Sequence, residues 1–200
     1  MKTCTFEGET EGLLRSHPWS TSLAEDAHRY VDFKASPQLI RTTLEDFIPY
    51  VQYPAVEAFY ALLERVNGEG SRLESNDCAF TGPEPSGESS RMRKLRCEGR
   101  VMLLFRDLPR NTNGRDWPHF IEALHRTLQA RDTEFDLGIV GTALTPVRFV
   151  ELAAPSAEGV QLMISFWAWG GTERVGMTNV GRVIGNLAYA LATVGERGTP

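Results

Sequence analysis

The side chains best able to do chemistry in this chain are its four histidines, its three cysteines and a few neighbouring carboxylates. His119 and His125 lie six residues apart, about 600° around a helix at roughly 100° per residue, so they project to different sides. No HExxH and no CxxC pair is present, the spacings that converge ligands on one zinc ion, so no metal and no cofactor is expected. Cys4, Cys78 and Cys97 are odd in number and far apart, which predicts free thiols in a reducing, cytoplasmic setting. A nucleophilic thiolate needs a histidine or a helix N-terminus beside it. Cys78 instead follows Asp77, whose charge would raise its pKa, and it reads as a small buried side chain on a strand; Cys97 reads the same way. G-x-S-x-G and S-x-x-K are absent. GIVGT (Gly138 to Thr142) lacks a phosphate-binding lysine and a third glycine, and suits a strand against a packed helix. The acid pairs Glu9/Glu11, Glu25/Asp26 and Glu45/Asp46 suit solvated faces. One enzymatic arrangement stays open as the alternative: a centre at Asp77–Cys78 with His119 or His125 as base.

The elements that would position these groups follow from periodicity. The first 28 residues are polar and read as an N-terminal arm (1–28), leaving one domain over 29–200. HRYVDFK (28–34) alternates as a short strand. Pro37 opens a helix over PQLIRTTLEDFI, and Pro54 opens another over PAVEAFYALLERVNG, with Gly68 suited to a left-handed C-terminal turn. RLESNDCAF (72–80) reads as a strand, TGPEPSGESS as a loop, and GRVMLLFRDL (99–108) as the clearest core strand. A helix follows at DWPHFIEALHRTLQA, with Asp116 as N-cap and Pro118 in its first turn. Three strands, FDLGIVGTAL, TPVRFVEL and VQLMISFWAW, precede a last helix from Glu173 to about Val194. Gly176, Gly181 and Gly185 each cost that helix ~1 kcal/mol, which predicts an unusually close approach to the sheet. Clustered strands and separate helices predict an α+β fold: an antiparallel or mixed sheet with helices packed mainly on one face.

Composition excludes several classes. With 42% hydrophobic and 24% charged residues, the chain is neither disordered nor fibrous, and no apolar run reaches the ~20 residues of a membrane span. MKTCTFEGETEGLLR carries acids where a signal peptide needs an apolar stretch, so export is not expected. The net charge of −5 divides into −8 over residues 1–88, +6 over 89–115 and −3 over 116–200. That balance argues against direct nucleic-acid binding. RMRKLRCEGR (91–100) lacks stacking aromatics and reads as a solvated stretch pairing with the acidic first half.

Recognition of a protein partner fits better than catalysis. LEDFIPYVQYPAVEAFY (44–60) sets Asp46, Tyr50 and Tyr53 around a proline-broken corner, offering rigid aromatic area and acidic charge. A second region, Phe166-Trp167-Ala168-Trp169-Gly170-Gly171, puts two tryptophans on one strand face, expected to be core beneath a helix; a self-associating structural subunit would instead use this strand.

RLESNDCAF, GRVMLLFRDLPRNT, FDLGIVGTAL and QLMISFWAWGGTE, in that order over about residues 28–192, resemble bacterial immunity proteins of polymorphic-toxin and type VI secretion systems, the family called immunity protein 52. The resemblance implies a small cytoplasmic α+β inhibitor that binds a cognate toxin, a basic nuclease domain, with no catalytic residue of its own. An acidic surface can occupy the basic groove that a nuclease presents to phosphates. On this reading the partner-binding residues are Glu45, Asp46, Tyr50, Tyr53, Glu74 and Asp77.

Overall fold

Val101 to Phe105 is buried on both faces, which requires a strand with neighbours on each side and a layer above and below it. In the computed structural model, which describes residues 1–6, 15–18, 30–44, 49–150 and 157–196, this run ends strand β4 (Leu95–Phe105). The other strands are β1 (Lys2–Thr5), β2 (Arg15–His17), β3 (Leu73–Pro85), β5 (Gly138–Phe149) and β6 (Ala157–Gly170). They form one mixed six-stranded sheet in the order β1–β5–β6–β4–β3, and β2 also pairs with β5. β3/β4, β4/β6 and β5/β6 are antiparallel; β1 and β2 run parallel to β5, end to end along its outer edge. The fold is α+β.

Helix α1 (Ile40–Thr43) is a single turn. The long helices α2 (Pro54–Asn67), α3 (Trp117–Arg131) and α4 (Glu173–Glu196) share one face of the sheet. α4 lies over the central strands, α2 beside it towards β3, and α3 on its other flank towards β1. Cys97, Val101, Leu103 and Phe105 of β4 meet Leu162, Ile164, Phe166 and Ala168 of β6 beneath Val180, Val183, Ile184 and Leu187. Phe59 of α2 reaches Phe166, with ring centroids 5.8 Å apart. A small second core of Leu104, Val147 and Phe149 lies on the opposite face.

Several expectations are corrected. Two stretches of the N-terminal arm, Lys2–Thr5 and Arg15–His17, enter the sheet, because β5 has an outer edge that β1 and β2 fill. Residues 30–34 form no strand, and the chain turns at 33–35, where Asp32 Oδ1 accepts the amides of Lys34 and Ala35. β3 continues to Pro85 through the expected loop, because a register break between Thr81 and Glu84 absorbs Gly82 and Pro83. FDLGIVGTAL and TPVRFVEL are one strand; Pro146 is tolerated between the β5 segments paired to β1 and β2. Gly68 has φ −63°, since Arg106 already satisfies the carbonyls of Asn67 and Gly68 at the end of α2. Asp116 takes the N-cap position of α3 as expected, but its side chain makes no capping bond and pairs with Arg110 instead. Among the described residues, no helix is long and apolar enough to cross a membrane.

Candidate functional site

Residues 49–53 form a corner that ends at Pro54, the first residue of α2. Pro54 is preset for the first helical position, so the residues before it lie outside α2 and form a turn. Tyr53 N–H donates to the Tyr50 carbonyl at 2.9 Å and closes the turn. Tyr50 lies across β3: its ring meets Phe80 edge-on at 6.1 Å. It also occupies the space over Gly82, where a Cβ would fall 2.0 Å from the ring. The Tyr53 hydroxyl donates to Glu173 Oε1 at 2.5 Å, which bridges the corner to the first turn of α4 and holds the phenol above its usual pKa. Between the anchored tyrosines Val51 is 64% exposed, and Val175, two residues beyond Glu173, is 43% exposed. One ring packed on β3 and one bonded to α4, beside an uncovered valine, make a surface that loses little entropy on contact.

Of the residues read as partner-binding, Tyr50 and Tyr53 form this corner, and Glu45 and Asp46 lie outside the described residues. Asp77 is on β3, half-buried, with Arg100 at 3.2 Å. Glu74 is corrected. It is 2% exposed and its carboxylate turns inward, so it presents no contact area to a partner.

Glu74 instead anchors a buried polar chain that the sequence reading missed. Its Oε2 accepts from Lys34 Nζ at 2.6 Å, and its Oε1 sits 2.9 Å from His17 Nε2, an ion pair outside hydrogen-bond angles. His17 Nδ1 lies 2.9 Å from Asn76 Oδ1, and Asn76 Nδ2 donates to Gln161 Oε1 at 2.9 Å and to the Ser16 carbonyl. With its amide group committed to those two acceptors, Asn76 offers only oxygen to His17. Both ring nitrogens therefore face acceptors, which suits the imidazolium. Burial depresses the His17 pKa, but the contacts with Glu74 and Asn76 outweigh it and raise the pKa above its ordinary value. Burial likewise raises Glu74, and His17 and Lys34 overcome this and lower it. The β4–β6 ladder ends at Leu103 and Leu162, and beyond that pair these side chains join the two hairpins. Partners 40 to 85 residues apart leave no spacing to read in sequence.

The alternative catalytic centre is not assembled. Cys78 packs against the core from β3, while His119 and His125 ride on α3 over the opposite flank of the sheet. Burial lowers the His125 pKa, and its Nε2 is 3.0 Å from Thr142 Oγ1. Burial pushes the Cys97 thiol up to about 12, which removes it as a nucleophile near neutrality. Among the described residues, no group of three or more His, Cys, Asp or Glu is arranged to hold a metal ion.

The tryptophan pair also differs from expectation. Phe166 and Ala168 face the helices, and Trp167 and Trp169 face away from them. There Trp167 meets Phe6 edge-on at 5.6 Å and Arg93 stacks on Trp169 at 5.0 Å. Around Trp167 and Trp169 both edges of β6 are bonded, so the tryptophan segment offers no strand edge for self-association. The basic run is largely neutralised: Arg93 meets Glu88, Arg96 meets Glu98 and Arg100 meets Asp77. Set against known proteins, the chain matches no family model, no curated protein and no solved structure.

Proposed function

We propose that this chain is an immunity-type inhibitor: it binds a cognate toxin domain, a basic nuclease, and neutralises it by occupying its surface. The observation that carries the reading is the corner at Tyr50, Val51 and Tyr53, an exposed valine between two anchored rings. Rigid aromatics around an apolar centre are the residues from which binding hot spots are built. The acidic first half, −8 over residues 1–88, supplies the complementary charge. The resemblance in segment order to immunity protein 52 supplies the partner class. The protein acts in the cytoplasm on this reading, without nucleic acid or membrane as direct ligand.

The test is affinity capture with the tagged full chain from its native cells, joined to a toxicity assay of the captured partner. A tight one-to-one complex with a basic nuclease domain, whose toxicity the chain suppresses and the double variant Tyr50→Ala, Tyr53→Ala releases, is expected. A captured toxin that the double variant binds equally well removes the corner from the interface. Failure to suppress any captured partner's activity removes the inhibitor reading.

A further inference from the structure

We infer that two copies of this chain associate by pairing the outer edges of their β1 strands in antiparallel register about Cys4. The Phe6 amide donates inward to the Thr142 carbonyl at 2.9 Å. Backbone groups alternate in direction along a strand, so Lys2, Cys4 and Phe6 bond towards β5. Thr3 and Thr5 then point their N–H and C=O groups away from the sheet, and no backbone partner for them is found among the described residues.

The two edges of the sheet differ. β3, at the far edge, is broken by two register shifts and carries Pro83 and Pro85, the usual guards against edge-to-edge pairing. β1 has neither a proline nor a bulge. Its outward groups flank Cys4 symmetrically, so a second copy related by a two-fold axis at Cys4 satisfies all of them. Thr3 of one copy and Thr5 of the other exchange both bonds, and the reverse pair does the same. Thr3 and Thr5 share one face, where cross-strand threonine pairs are favourable. On the other face Lys2 comes opposite Phe6 of the second copy, whose ring is 44% exposed in the single chain. The pairing would cover it.

The groove beside this edge supports the same occupant. α3 overhangs β1, with Gln129 Nε2 donating to Thr3 Oγ1 at 2.7 Å. A shallow groove of about 440 Å³ runs between Thr5 and the outer flank of α3, lined by Pro118, Ile121, Glu122, His125 and Arg126. A molecule of net charge −5 repels its own copy over most of its surface. Here the groove's one carboxylate, Glu122, is held by Arg126 at 2.6 Å, and Lys2 is exposed. Two six-stranded sheets become one continuous sheet, and both Tyr50–Tyr53 corners, which sit at the β3 end, stay free at its outer ends.

Light scattering behind size exclusion, over a concentration series of the full chain, is expected to give a mass rising from 22.3 kDa towards twice that value. Thr5→Pro should hold the mass at the single-chain value. Its amide points away from β5, so proline there breaks no bond inside the monomer, and unchanged circular dichroism would verify that. Thr3→Pro repeats the test from the other side of Cys4. The two Cys4 residues would form a non-hydrogen-bonded pair with Cα atoms about 4.5 Å apart, within disulfide reach. Diamide, which takes up the two thiol hydrogens as the S–S bond forms, should therefore cross-link the wild type and not Cys4→Ser. A mass fixed at the single-chain value at every concentration, or a dimer that survives both proline variants, overturns the inference.

Discussion

His17 is held by two acceptors from β3, and the sign of its pH dependence follows from which protonation states they favour. Its pKa is raised above 6.5, so the stability it contributes is complete below pH 6.5 and is lost as pH rises through the raised value. Glu74 is lowered below 4.5, so its contribution is complete above pH 4.5 and is lost as pH falls through the depressed value. The pair therefore stabilises most between these two ordinary values. In Glu74→Gln the imidazolium is left buried beside Lys34 with no anion, and its contribution changes sign: stability should rise with pH as His17 gives up its proton. Melting temperature against pH, wild type minus variant, measures this, and parallel curves would remove the ionic clasp. A second residue-scale test is Gly82→Ala. The new Cβ falls inside the Tyr50 ring, so the ring must leave Phe80 at a cost of about 1–3 kcal/mol by analogy with overpacked sites. Denaturant midpoints and partner affinity should both fall, and an unchanged affinity would show that Tyr50 can move without consequence to binding.

At the level of elements, the glycines of α4 separate two effects that sequence alone merged. A Cβ on Gly181 would meet Ala55 of α2 at 3.3 Å, so this glycine sets the approach of helix to helix, whereas the expectation had been helix to sheet. Gly176 fits the sheet expectation, lying against Cys97 and Gly170, and Gly185 has nothing within 4 Å of its Cβ position. Gly181→Val should therefore destabilise by about 1–3 kcal/mol through overpacking, while Gly185→Ala should stabilise by roughly 0.5–1 kcal/mol through helix propensity alone. Chemical denaturation of the two variants checks both signs. The same division explains what the sequence made legible. α2, α3, α4 and the core of β4 were readable because each has a long apolar stripe or run of its own. The extent of β3, the unity of β5 and the recruitment of β1 and β2 were not, because each depends on a neighbouring strand that periodicity cannot name. The corner tyrosines were visible from the prolines that bracket them; the His17–Glu74–Asn76–Gln161 chain was not, being assembled from three separate strands.

For the molecule as a whole, charge is arranged so that its acidic excess is not spent internally. Arg93, Arg96 and Arg100 of the basic run meet carboxylates locally, and Arg41 is committed to Glu57 and Glu64, which hold its pKa above the ordinary range. What remains is a net −5 with the strongest imbalance in the first half of the chain, where Glu45 and Asp46 lead directly into the tyrosine corner. An encounter with a basic partner is then accelerated by long-range attraction, whereas the rings and Val51 fix the lifetime of the complex. These two contributions separate by kinetics. Glu45→Lys with Asp46→Lys should lower the association rate by an order of magnitude or so at low salt and leave dissociation nearly unchanged, since attraction between exposed charges acts before contact. Raising the ionic strength to about 1 M, where screening extends only ~3 Å, should bring the wild-type and variant association rates together. Tyr53→Phe, which loses the bond to Glu173 but keeps the ring, should do the opposite, raising dissociation at every salt concentration. Stopped-flow association with the captured partner measures all three. A charge-reversed chain that associates as fast as the wild type at low salt would move the acidic contact away from the corner, to another part of the first half.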